Sequence, residues 1–122
     1  MTSHRLLLAD DDPKVREILG SFLQDEGFDV TLASDGGIAL DLMKEHTFSI
    51  LVTDLDMPRA TGSDLLAFAK DSGLAMPVII VTANSDDEAR EHAVALRASD
   101  YVTKPIHLDD LLERIHRHLN ES

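Results

Sequence analysis

An α/β fold, built on a doubly wound five-stranded parallel sheet of strand order 2-1-3-4-5, is predicted by three features of the sequence. Apolar runs and amphipathic stretches alternate five times along the chain, with no Pro/Gly-rich linker between them. Strands that alternate with helices imply right-handed crossovers and therefore a parallel sheet. The first, third and fourth runs are continuously apolar, as strands covered on both faces must be, whereas the second alternates and the fifth is short.

The first run, Leu6 to Ala9, is continuously apolar and reads as an inner strand. Val15, Ile18, Leu19 and Phe22 then follow the i, i+3, i+4, i+7 rule of a helix face. Asp12 as N-cap, Pro13 at the first helical position and Gly27 as the stop bound that helix. Phe28 to Ala33 alternates apolar and polar residues like a half-exposed edge strand. Asp35 before Gly36-Gly37 is a turn or cap signal, and a helix is expected over Gly37 to His46. Ser49 to Val52 and Val78 to Val81 are the remaining inner strands, with a helix over Ser63 to Ser72 between them. A helix is expected over roughly Asp86 to Leu96, with Asp86-Asp87-Glu88 as an acidic first turn that suits its dipole. Tyr101 to Val102 is short, the second edge, and Leu108, Leu111, Leu112 and Ile115 mark the last helix.

The 122 residues are expected to form one domain, 1–122, and the 43% hydrophobic content can build an ordinary core without staples. Cysteine is absent, which removes disulfides, thiolate metal sites and cysteine nucleophiles together. The formal net charge is -12, a field that repels phosphate backbones and anionic lipid, so neither direct nucleic-acid nor membrane binding is expected. The N-terminal apolar run stops at three aspartates, well short of the ~7–15 residues of a signal peptide or the ~20 of a spanning helix. A cytoplasmic protein is expected.

The unusual residues collect at strand ends. Asp10, Asp11 and Asp12 follow the first strand, Asp54 the third, Thr82 the fourth and Lys104 the fifth. In a doubly wound sheet of this order, ligands sit beyond the carboxyl ends of strands 1 and 3. Helix capping accounts for Asp12 and Asp35 but not for Asp54, at the mouth of a buried strand. Unit charges ~4 Å apart repel by about 4 kcal/mol at an effective dielectric near 20, so clustered carboxylates need a cation. An all-oxygen site selects a hard ion such as magnesium, Mg2+, which keeps waters and commonly holds a phosphate. Lys104 supplies a positive charge and Thr82 a hydroxyl donor to such a guest. Asp54 is then the nucleophile, since a carboxylate can attack phosphorus without a general base. No GxxxxGK[ST], GxGxxG, GxSxG or HExxH signature competes.

Together the turn Leu8-Ala9-Asp10-Asp11-Asp12-Pro13, the segment Asp54-Leu55-Asp56-Met57-Pro58 followed by Gly62, the pair Thr82-Ala83 and Lys104-Pro105 resemble a response-regulator receiver domain of two-component signalling. The four motifs, in order and at strand ends, span the whole chain. The resemblance implies the flavodoxin-like (βα)5 fold and a phosphoprotein, a phosphoacceptor that assists its own phosphorylation and dephosphorylation rather than an enzyme. Asp54 would accept the phosphoryl group from a phosphohistidine on a sensor histidine kinase or histidine phosphotransfer protein. Magnesium would be bound by the Asp11 and Asp54 side chains, by Asp10 through water and by the backbone carbonyl of Asp56, with Thr82 and Lys104 on the phosphoryl oxygens. Receivers also couple the switch threonine, here Thr82, to an aromatic residue on strand 5, here Tyr101. That coupling would reshape the face made by the helix expected near 86–96, the fifth strand and the last helix. Homodimerisation on phosphorylation is left open.

This chain departs from the family pattern at Arg97-Ala98, where Gly-Ala is frequent, at Thr61-Gly62 for Asp-Gly, and at Ile106 for phenylalanine. Asp56 and Asn84 flank the path of a water attacking the acyl phosphate and are expected to tune its lifetime. A haloacid-dehalogenase-type phosphatase is the rival enzyme, because Asp54-Leu55-Asp56 mimics its nucleophile and general acid. Its first motif normally lies near the N-terminus, however, and no second acidic pair follows Lys104. A pseudo-receiver acting without phosphate is the rival interaction module, and the full set of acids with Thr82 and Lys104 argues against it. His4, His46, His92, His107, His116 and His118 read as solvated surface, and Met43, Met57 and Met76 as packing residues.

Overall fold

The structure, a computed structural model, describes residues 4–83 and 98–120. Five parallel strands, β1 (Arg5–Ala9), β2 (Asp29–Ala33), β3 (Ile50–Asp54), β4 (Val78–Thr82) and β5 (Asp100–Thr103), form one sheet in the order 2-1-3-4-5. The helices among the described residues are α1 (Pro13–Asp25), α2 (Gly36–Glu45), α3 (Gly62–Asp71) and α4 (Leu108–Asn120). The helix expected over roughly 86–96 lies outside the described residues, as do Arg97 and Asn84. No helix among the described residues is long and apolar enough to cross a membrane.

Strand pleating divides the core into two layers. Leu7, Ala9, Leu51 and Ile80 face α2 and α3, where they pack with Ala39, Met43, Leu65, Leu66 and Ala69. Leu6, Leu8, Ile50, Val52, Ile79 and Val81 face α1 and α4, meeting Leu19, Leu23, Leu111 and Ile115. β3 and β4 are buried at every residue, so the inner strands expected from continuous apolarity are the inner strands observed. Each fully buried leucine or isoleucine contributes roughly 1.5–3 kcal/mol over its exposed form. Met43 and Met57 are buried and Met76 packs against the same layer, as expected of packing residues.

α1 begins as its sequence dictates. The Asp12 carboxylate accepts the Lys14 and Val15 amides, and Pro13 takes the first turn, where no amide is needed. Gly27, with φ +99, ends it in the left-handed region. Two side chains depart from the expected pattern. Ile18 is 59% exposed, because the buried stripe of α1 runs through Leu19 and Leu23 and leaves position 18 on the flank. Leu32 is 43% exposed on edge strand β2, where it lies beside Gly20, a position with no side chain to cover it.

Candidate functional site

The carboxyl ends of β1, β3 and β5 bring the expected acidic and basic residues to one place. Asp54, the last residue of β3, is 8% exposed, and Asp10, directly after β1, is 2% exposed. Asp11 is exposed on the turn between β1 and α1. One oxygen from each of these three carboxylates falls within 4.8 Å of the other two. Lys104, just past β5, reaches back so that its Nζ lies 3.1 Å from Asp54 Oδ2 and 3.4 Å from Asp10 Oδ2. The Lys104–Pro105 peptide bond is cis.

Backbone contacts fix these side chains. Asp10 Oδ1 accepts the Asp12 amide at 2.9 Å, and the Asp10 amide donates to the Ala33 carbonyl at 3.2 Å. Arg16, from the first turn of α1, donates through Nη1 to the Asp10 carbonyl at 2.8 Å. Asp54 Oδ1 accepts the Asp56 amide at 3.3 Å. The loop after β3 is packed so closely that a Cβ on Gly62 would lie 2.5 Å from the Asp54 carbonyl oxygen, and one on Gly36 would lie 1.7 Å from that of Ala60. Arg59, within this loop, has φ 72. Thr82 is fully buried at the end of β4, one residue past Val81, the partner of Asp54 in the β3–β4 register. Its carbonyl accepts the Lys104 amide at 2.8 Å.

The electrostatics follow from burial against pairing. Burial pushes the Asp54 carboxyl above the usual range, and the hydrogen bond and charge of Lys104 pull it only partly back. Burial lowers the Lys104 ammonium, but its hydrogen bond to Asp54 and the charges of Asp54 and Asp10 outweigh that and leave it raised. One lysine paired with two of the three carboxylates leaves a net negative, all-oxygen cluster that fits a hard divalent cation. Because folding raises the Asp54 pKa, this group's contribution to stability falls as pH rises from the ordinary carboxylate value, about 3.8, through its folded pKa. Asp54→Asn is therefore expected to raise the melting temperature of the metal-free protein at neutral pH, by ~3–6 °C for each kcal/mol of relieved repulsion. Millimolar magnesium is expected to raise the wild-type melting temperature as well, and thermal denaturation in EDTA and in magnesium checks both.

Tyr101 on β5 is half-buried, pairs with Ile80 in the β4–β5 register and packs against the α2/α3 layer. Beside it lies a network that the sequence reading missed. Asp100 accepts the Tyr101 amide and Arg114 Nη1, and His118 Nε2 lies 3.0 Å from Asp100 Oδ2. Burial pushes the Asp100 carboxyl up, but the Tyr101 amide, His118 and Arg114 outweigh it and hold the pKa below the usual range. His118 is thus not solvated surface: its side chain is 16% exposed, and the partner that buries it sits 18 positions away. His4, His46, His107 and His116 are exposed as expected, with His46 and His116 against the rings of Phe48 and Phe28, and His92 lies outside the described residues.

Arg16 was missed too, although a signal existed. A cation in the first turn of a helix opposes the dipole, so it calls for a specific acceptor.

An order 2-1-3-4-5 sheet whose carboxyl edge gathers three carboxylates, two of them paired with one lysine, defines a class of doubly wound domains with an acidic pocket that could hold a metal ion. Residues 6–116 match the family of response regulator receiver domains, and the chain belongs to that family. It is 32% identical over 118 residues to the transcriptional regulatory protein DltR of Streptococcus agalactiae, covering 97% of this chain and 53% of that protein. It is 31% identical over 112 residues to the cell cycle transcriptional regulator CtrA of Caulobacter vibrioides, covering 92% and 48%. The chain thus spans about half the length of the curated relatives it matches. Among solved structures, the receiver domain of Francisella response regulator 1452 superposes with a TM-score of 0.91 at 31% identity, covering 96% of this chain and 97% of that one. A CheY-like receiver domain from Methanospirillum hungatei JF-1 superposes with a TM-score of 0.92 at 29% identity, covering 98% and 96%.

Proposed function

We propose that this receiver domain accepts a phosphoryl group on Asp54 from a phosphohistidine of a sensor histidine kinase or phosphotransfer protein, in a magnesium-dependent reaction. The observation that carries the reading is the Asp54 carboxylate itself, 3.1 Å from the Lys104 ammonium and within ligand reach of Asp10 and Asp11 at the mouth of a buried strand. An Asp54 oxygen attacks phosphorus, the bond to the imidazole nitrogen breaks, and the imidazole leaves to take up a proton. The product is an aspartyl phosphate. Lys104 holds the nucleophile in its ionised form and then neutralises charge on the transferred oxygens, beside the Thr82 hydroxyl. The Asp10, Asp11 and Asp54 side chains, with the Asp56 carbonyl, would hold magnesium, which supplies neutralisation of phosphoryl charge when bound.

The regulatory output rests on differential contacts in two states. Thr82 moving toward the phosphoryl group would draw Tyr101 inward and alter the surface of β5 and α4. The net charge of the domain, -12, disfavours direct nucleic-acid contact. A small-molecule phosphodonor tests the reading: label incorporated in magnesium, absent in EDTA and released by hydroxylamine is the expected result. Beryllofluoride with magnesium is expected to change the emission of Tyr101, the sole tyrosine. An unchanged Tyr101 environment defeats the coupling. Partner binding that persists without any phosphoryl uptake favours the pseudo-receiver reading.

A further inference from the structure

We infer that Arg16 is a positioning residue for the divalent cation, acting through the Asp10 carbonyl on Asp11; the inference rests on the cation-dependent phosphoacceptor reading above. The geometry is a short chain of constraints. Arg16 sits in the first turn of α1, with its own amide bonded to the Asp12 carbonyl at 2.9 Å, and sends Nη1 back to the Asp10 carbonyl at 2.8 Å. A peptide unit is planar, so fixing the Asp10 carbonyl also fixes the amide and Cα of Asp11. Asp11 is the exposed member of the carboxylate trio, whereas Asp10 and Asp54 are buried. It therefore has the most freedom to lose when the three oxygens close on an ion. The other two ligands already have local anchors: the Asp12 amide and Lys104 for Asp10, and the Asp56 amide and Lys104 for Asp54. Arg16 supplies the corresponding anchor for the turn that carries Asp11, and does so from a helix position where a cation otherwise opposes the dipole.

Two effects of removing Arg16 have opposite signs, which makes the test decisive. As a bare positive charge near the trio, Arg16 repels a cation, so its loss would tighten binding. As an outer support of a ligand, its loss weakens binding by about 10-fold or more. Titration calorimetry of the whole chain with magnesium chloride is expected to show Arg16→Ala weaker by about 10-fold, with Arg16→Lys in between because it keeps the charge and one donor but not the planar fork. Phosphodonor labelling should split in the same way: the magnesium concentration for half-maximal rate rises about 10-fold, while the rate at saturating magnesium stays within about twofold. The melting temperature in EDTA is expected to stay close to wild type. Equal or tighter binding by Arg16→Ala, with wild type binding normally, overturns the positioning role alone. A wild-type chain that binds no magnesium overturns the underlying reading and this inference with it. Should Arg16→Ala fail to fold, Arg16→Lys decides, with wild-type affinity as the overturning result.

Discussion

Asp54→Ala is expected to lower phosphodonor labelling to background, below about 1% of wild type, since removing a nucleophile removes the covalent route itself and not a fraction of its rate. Two neighbouring carboxylates could in principle substitute, and the geometry disfavours both. Asp10 spends Oδ1 on the Asp12 amide at 2.9 Å and faces Lys104 with Oδ2, while buried at 2% exposure. Asp11 is exposed, so a phosphoryl group there would lack the buried walls that exclude water at Asp54. The variant is also expected to stay folded. Asp54 is a carboxyl whose burial raises its pKa, so trimming it removes an electrostatic penalty together with its few side-chain contacts. Intact-mass and radiolabel measurements on a variant with a wild-type-like circular dichroism spectrum separate loss of the acceptor from loss of the fold. Retained label that resists hydroxylamine would move the acceptor to a serine or threonine and end the Asp54 assignment.

What the sequence made legible divides along a physical line between local and non-local information. Strand order could be argued because coverage on both faces writes itself into a strand: Leu51, Val52, Ile79 and Ile80 are apolar at consecutive positions, whereas Asp29 and Thr31 interrupt β2. Caps at Asp12 and Asp35 were legible for the same reason, as both acceptor and donors lie within three residues. Ile18 shows where periodicity stops. It satisfies the helical spacing, yet it lies beside the buried stripe of Leu19 and Leu23 and lines an open apolar groove with Pro105 and Ile106. The Asp100–Arg114–His118 network was invisible because its partners lie 14 and 18 positions apart and each looks like ordinary helix or strand surface. In the site, the identities of Asp10, Asp11, Asp54 and Lys104 were readable from strand ends. The backbone supports were harder to read: Arg16 stands out as a cation in a first turn, but nothing in Asp10 marks it as the residue held.

Lys104→Ala is expected to be the most damaging single change after loss of the acceptor, and for two reasons that separate by pH and by metal. Lys104 is the cation hydrogen-bonded to Asp54 and paired with Asp10, so its removal should slow phosphoryl transfer about 10²–10³-fold, the effect of deleting one donor aimed at developing charge. It also leaves two buried carboxylates beside an exposed third with no ammonium against them. Breaking a fully buried pair costs about 3–5 kcal/mol, and since the Lys104 side chain keeps 22% exposure, roughly 1–2 kcal/mol is the reasonable figure here. The sign of the pH dependence follows from Asp54. Its folded pKa is already raised, so its contribution to wild-type stability declines as pH climbs from 3.8, and without Lys104 that decline should be deeper and extend to higher pH. Lys104's own raised pKa adds wild-type stability that is lost only on the alkaline side, as pH rises through its folded value. Melting curves in EDTA across this range should therefore diverge between wild type and Lys104→Ala from acidic toward neutral pH, and magnesium should narrow the gap by replacing part of the missing charge. The double variant Asp54→Asn/Lys104→Ala provides the control: with one carboxylate neutralised, the pH-dependent part of the penalty should largely vanish, giving a coupling energy of about 1 kcal/mol or more. Additive single effects would mean that the lysine and the aspartate do not sense one another, and the electrostatic account of this pocket would fail there.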